Sequence, residues 1–171
     1  VKLSPLRFGL GVSSLLILLP SFASGNALDP VLPNSRVTPG ARNPSVTQAN
    51  IHSTICLRGY TRTIRPPASY TTALKIQQLS TAPYSGYGDK KTADFEEDHL
   101  ISLELGGSPT DPKNLWPEPY ASSTGARTKD KLENALHALV CNGSLTLLTA
   151  QKAIATNWYS AYFKYVLRQN G

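Results

Sequence analysis

The stretch FEEDHLISLELGGSPTDPKNLWPEP, residues 95–119, decides how the chain is read. Three carboxylates, Glu96, Glu97 and Asp98, run directly into His99. An apolar-rich segment then leads to Gly106 and Gly107, and Pro109, Asp111 and Pro112 follow before Asn114 and Leu115. Two-residue alternation puts Phe95, Glu97, His99, Ile101, Leu103 and Leu105 on one face of a strand and Glu96, Asp98, Leu100, Ser102 and Glu104 on the other. Asp98 and His99 therefore point apart in a regular strand, and both serve one site only where the strand ends or bends at that dipeptide. The Gly, Pro and Asp cluster marks a long turn that brings Asn114 and Leu115 back beside the strand. The expected order is strand, long turn, short strand, then a helix beginning near Thr128.

Downstream, TKDKLENALHALV places Leu132, Ala135, Leu136 and Leu139 at the i, i+3, i+4, i+7 spacing of a buried stripe, with Thr128 as its cap. Asn142 and Gly143 end that helix. Thr146 caps another, which continues through LLTAQKAIATNWYSAYFKYVLRQ with a bend near Asn157. Its aromatic stripe, Trp158, Tyr159, Tyr162, Phe163 and Val166, reads as core against the preceding helix.

Upstream, SYTTALKIQQL reads as a helix offering Leu74, Ile76 and Leu79 for burial, and residues 81–91 as a loop. The β-branched and aromatic residues of 51–64, broken at Gly59, suggest two short strands or a hairpin. Residues 28–47 carry four prolines and no regular period, the composition of an extended arm or linker that packs little. Residues 1–27 have the order of a secretory signal: Lys2 and Arg7, an apolar run from Phe8 to Leu19, then Pro20 and the small residues Ala23, Gly25 and Ala27. That run is short for a membrane span, so no stable membrane insertion is expected after cleavage between about residues 23 and 27. The expected location is exported, periplasmic or secreted.

Removing residues 1–27 takes away two cations and no acid, leaving 15 Lys+Arg against 11 Asp+Glu, a formal +4. A mild positive excess admits a polyanionic partner without requiring one. An exported chain with two cysteines is expected to join them, so Cys56 and Cys141 form one disulfide, and two cysteines alone make no zinc cluster. Nothing in the sequence points to an oligomer.

DHLISLELGG followed by KNL, ahead of the helix in TKDKLENALHALVC, resembles the strand-turn-strand core of HNH nucleases, the ββα-metal finger group, and in particular a set of small exported bacterial HNH-like proteins. The resemblance implies an α+β fold: short strands forming a ββα-metal finger core packed against C-terminal helices, in a single domain over 48–171. It implies that His99 is the general base that deprotonates a water for attack on a phosphodiester of DNA or RNA. Asp98 matches the acidic ligand of one divalent cation, Mg²⁺ or Mn²⁺, and Asn114 the asparagine that holds the turn and orients the histidine ring. These roles agree with elementary chemistry, since imidazole is basic near neutral pH and a carboxylate suits a hard cation.

The third position departs from the pattern, because YASSTG offers no histidine or asparagine where the family places one. Asp130, Glu133, Asn134 and His137 are the candidates; Asp130, in the first helical turn, comes first, and Glu133 follows one turn on, with Lys129 expected at substrate phosphate. His52, alone in a strand-like segment, is a weaker ligand candidate. The expected activity is a metal-dependent endonuclease or phosphodiesterase, with a non-catalytic nucleic-acid or envelope binding module as the alternative.

Overall fold

Strand β1 (Phe95–His99) pairs antiparallel with β2 (Leu115–Pro119), in a register that sets Phe95 opposite Pro119, Glu96 opposite Glu118, Asp98 opposite Trp116 and His99 opposite Leu115. The computed structural model describes Val1 and residues 32–120 and 124–168. The expected signal segment, Val1 aside, therefore lies outside the described residues. Around the hairpin stand α1 (Tyr60–Ile64), α2 (Ala68–Ser80), α3 (Ala126–Cys141) and α4 (Leu147–Tyr162), giving a mixed α+β architecture in which helix dominates. No helix among the described residues is long and apolar enough to cross a membrane.

The apolar stripe of α3 forms with a small shift in content: Leu132, Leu136 and Val140 are fully buried, while Leu139 is only partly so. They meet Ala150, Ile154 and Trp158 of α4, and the core continues through Trp116, Phe95 and Leu105 around the hairpin. Helix α3 starts at Ala126 with Gly125 as its N-cap, two residues before the expected start. Thr128 thus lies buried inside the first turn, its N–H bonded to the Gly125 carbonyl, rather than capping it. Thr146 does cap α4, accepting from the Thr149 N–H, and α4 leaves helical geometry at Asn157. Leu79 of α2 is buried, but Ile76 is exposed.

Residues 51–64 do not form strands. Gln48–Ser53 is a 3₁₀ turn and Tyr60–Ile64 a short helix entered through Gly59 at φ +89°. The Thr47 N–H donates to Asn50 Oδ1, and the Thr54 hydroxyl donates to the Asn50 carbonyl. Such local bonds curl the chain and outweigh a β-propensity that has no partner strand to reward it. Cys56 is fastened to Cys141 at the end of α3 by a disulfide, with 5.7 Å between Cα atoms.

Residues 32–47 contain no regular element, yet the expectation that this arm packs little fails for them. The Gly40 and Ala41 N–H groups donate to the Lys113 carbonyl, Asn43 N–H to the Gly106 carbonyl, and Ser108 N–H back to Ala41. Thr38 is buried against the Tyr84 hydroxyl at 2.6 Å, and Val46 is buried beneath Gly106. The residues between the prolines keep their N–H groups, and the long turn offers carbonyls to receive them.

Candidate active site

The long turn between the strands is built on three side-chain features. Gly106 takes φ +70°, where a side chain would be strained. Gly107 is packed so closely that a Cβ there would stand 1.7 Å from the Ile101 carbonyl oxygen. Asn114, fully buried, accepts from the Ile101 N–H (2.9 Å) and donates to the carbonyls of Ile101 and Ser108 (3.0 Å each). The Leu100 N–H donates to Asn114's own carbonyl at 2.8 Å. Asn114 thereby ties the end of β1 to both ends of the turn. From α4, Gln151 Nε2 donates to the Leu105 carbonyl and supports the turn from the other side.

Regular strand geometry stops at His99. The Asp98 carboxylate accepts from the His99 backbone N–H at 2.7 Å, so the dipeptide folds on itself where the strand ends. His99 Nε2 bonds the Pro109 carbonyl oxygen at 2.9 Å. A neutral ring donating from Nε2 keeps its lone pair on Nδ1. Because Asn114 holds Ser108, the residue before Pro109, it fixes the ring's partner and so acts on His99 through the turn. Burial lowers the His99 pKa, and this outweighs the Pro109 carbonyl and the Asp98 charge that favour the protonated ring. His99 is accordingly a neutral imidazole at neutral pH.

His99 is only 4% exposed but lines a cleft of about 300 Å³ between β1 and α2. Arg65, Thr71, Thr72, Lys75 and Glu97 share its walls. Glu97 lies two residues before His99 on the same strand face. Both its carboxyl oxygens are buried without a hydrogen-bond partner. Burial, with the Asp98 charge assisting against Lys75, pushes its pKa up to about 8, so the group stays protonated at neutral pH. Lys75 is anchored by donating to the Phe95 carbonyl at 2.7 Å.

On the opposite face, Asp98 meets α3. The side chain of Lys129 is fully buried, and its ammonium donates to Asp98 Oδ2 (2.6 Å), to the His99 carbonyl (2.8 Å) and to Glu133 Oε1. Glu118 Oε2 lies 3.7 Å away, with a side chain only 1% exposed. Burial alone would raise Asp98, but the Lys129 ammonium holds its carboxyl down at about 2. Burial would lower Lys129, yet Asp98, Glu133 and Glu118 keep it well above the usual lysine range. Burial pushes Glu118 well above the carboxylate range and Glu133 up to about 8, against the pull of Lys129 in both cases.

The fit of a divalent ion is decided by that ammonium. An ammonium has three N–H donors, and all three are used within the cluster. Mg²⁺ demands close octahedral oxygen ligands, and a second cation a few ångströms from a buried ammonium is repelled without water to screen it. The acidic cluster does not fit a divalent ion while Lys129 stands in it.

Of the residues expected at the site, Asp98, Lys129 and Glu133 come together, His99 and Asn114 flank them, and Asp130 is exposed on α3 with its side chain outside the cluster's hydrogen bonds. Lys129, expected at substrate phosphate, is instead enclosed by protein carboxylates. Asn134 donates to the Asp130 carbonyl, and His52 is exposed. His137 bonds the Ile55 carbonyl and stands 4.0 Å from Glu104, beside the disulfide. Among the described residues, Cys56, His137 and Cys141 are the group that brings three ligand atoms within 4.8 Å of one another, a possible Cys/His metal site whose sulfurs are joined in the bridge.

Sequence reasoning missed Glu118, Arg65 and Lys75. Glu118 was within reach: counting back along a hairpin from His99 opposite Leu115 puts Glu118 across from Glu96, on the face of Asp98. Arg65 and Lys75 carried no such signal, because only the packing of α2 and of the segment that leads into it brings them to His99. Set against known proteins, the chain matches no family model, no curated protein and no solved structure.

Proposed function

We propose that this chain is an HNH-like hydrolase of phosphodiester bonds in DNA or RNA, acting outside the cytoplasm. The observation that carries the reading is the cleft, where a neutral, oriented imidazole shares its walls with Arg65, Lys75 and the Glu97 carboxyl. A strand ending at Asp-His, a glycine turn clamped by Asn114 and a following helix supply the arrangement that the resemblance implies. The disulfide accords with an oxidising compartment.

In this reading a phosphodiester sits with its anionic oxygens toward Arg65 and Lys75. His99 Nδ1 takes a proton from a water, whose oxygen attacks phosphorus. The bond to the leaving sugar oxygen breaks, and that oxygen receives the proton of Glu97. Two titratable groups with their pKa values pushed apart, one basic and one acidic at the same pH, suit such a proton exchange. Exchange with solvent returns both to their starting states.

The purified chain is expected to degrade plasmid or RNA, and His99→Ala to lower the rate by at least ~100-fold with unchanged circular dichroism, the scale of a lost general base. Glu97→Gln, which has no acidic proton, lowers it on the same scale. Undiminished cleavage by His99→Ala would sink the assignment. The neutralised acidic face favours a second reading, a module that binds nucleic acid without turnover, which gel shifts without cleavage would reveal.

A further inference from the structure

We infer that the ammonium of Lys129 is the resident cation of the Asp98–Glu118–Glu133 cluster, standing where the HNH-like pattern would lead one to look for a divalent metal. The inference concerns the binding of cations at this cluster. It rests on the hydrolytic reading only for its catalytic consequence, which is that cleavage runs undiminished in the presence of a chelator.

Three observations carry it. The first is saturation: Asp98 Oδ2, the His99 carbonyl and Glu133 Oε1 take the three protons of one ammonium. The second is placement. Lys129 and Glu133 are four residues apart on α3, so successive turns of one helix deliver both a cation and a carboxylate against the end of β1. The third is Glu118, a buried carboxyl whose Oε2 lies 3.7 Å from the ammonium and which closes the cluster on the side of β2. A buried charge is costly unless it is paired, and the Asp98 carboxylate at the centre of the cluster has its pair in the ammonium 2.6 Å away. The cation that Asp98 calls for is supplied by the chain itself.

A tethered ammonium differs from a bound ion in two ways. It cannot be removed by a chelator, and it cannot accept a substrate oxygen as a ligand. With its donors committed to Asp98, Glu133 and the strand backbone, Lys129 acts as a positioning residue: it holds the His99 carbonyl and Asp98, which in turn holds the His99 N–H. Phosphate contact passes to Arg65 and Lys75 across the hairpin.

The test is Mn²⁺ alone, followed by electron paramagnetic resonance and by thermal melting, on wild type, Asp98→Asn and Lys129→Ala. Wild type is expected to bind no Mn²⁺ at millimolar concentration and to show no shift in melting temperature. Lys129→Ala, which removes the ammonium and leaves space for an ion and its waters, is expected to bind one Mn²⁺ and to melt several degrees higher with it than without it. Adding Asp98→Asn to that variant abolishes the binding. One Mn²⁺ on the wild type, lost in Asp98→Asn, would overturn the inference. So would a folded Lys129→Ala that ignores Mn²⁺. If the alanine variant does not fold, Lys129→Ser, with a hydroxyl for Asp98, carries the same arms. Neither readout uses cleavage, so an inactive wild type that ignores Mn²⁺ defeats the hydrolytic reading and leaves this one standing.

Discussion

Asn114 and Gly107 show how much of the site rests on single side chains. Asn114→Ala strands the Ile101 N–H and the carbonyls of Ile101 and Ser108 in a buried setting. At about 1–3 kcal/mol for each unsatisfied group, the expected loss is ~3 kcal/mol or more in urea denaturation. Asn114→Asp keeps the shape but turns an acceptor toward two carbonyl oxygens, so it is expected to be at least as harmful. A loss of under ~0.5 kcal/mol in both variants, the scale of an ordinary surface change, would contradict the clamp. Gly107 has no substitute, since the first carbon of any side chain collides with the Ile101 carbonyl. Both residues were legible in the sequence because turn chemistry is local: an amide that mimics the backbone and a residue without Cβ are needed wherever a chain doubles back this tightly.

The buried carboxyls gathered around β1 titrate in opposite directions, which belongs to the packed element rather than to any residue. Asp98, held at about 2 against an ordinary 3.8, stabilises the fold above pH ~4, and that contribution is lost as pH falls toward 2. Its size, from the shift, is about 2 kcal/mol. Glu97 and Glu133, raised from 4.5 to about 8, favour the protonated fold. Their stabilisation is complete below pH ~4.5 and is lost as pH rises through about 8. Melting temperature is therefore expected to peak near pH 4–5 and to decline toward pH 8. A melting curve that climbs between those limits would contradict the burial of these carboxyls. Alternation made the two faces readable in advance, as the strand register bears out. That α3 would bring Glu133 to the face of Asp98 was expected as well; that Lys129 would pair Asp98 there, and that α2 would cover the other face, was not, because helix packing joins residues far apart in the chain.

Across the whole molecule, the Cys56–Cys141 bridge and the arm of 32–47 enclose the hairpin between distant parts of the chain. The bridge spans 85 residues, a loop that contains the entire candidate site. On the chain-entropy model, reduction or a double Cys→Ser change is expected to cost about 4.5 kcal/mol, read as a lower urea midpoint. An unchanged midpoint would mean that the denatured chain keeps its ends together without the bond. The expected strands of 51–64 failed at this same scale: their composition suited a sheet, but the molecule's one described sheet, β1 with β2, has no edge there to receive them. Likewise the proline-rich arm looked like a linker until the turn carbonyls it covers were in place.

The local grammar is written in the chain: a strand stopped at Asp98-His99, a glycine turn closed by Asn114, two amphipathic helices punctuated at Asn142-Gly143 and capped at Thr146, and a kink at Asn157. Each depends on residues within a few positions of one another. Which charges meet is set by packing. Whether Lys129 touches a phosphate or Asp98, and whether Arg65 and Lys75 share a cleft with His99, depends on burial and on the docking of α2 and α3 against the hairpin. Coulomb interactions become strong only where water is excluded, and the exclusion of water belongs to the packed molecule rather than to any stretch of its sequence.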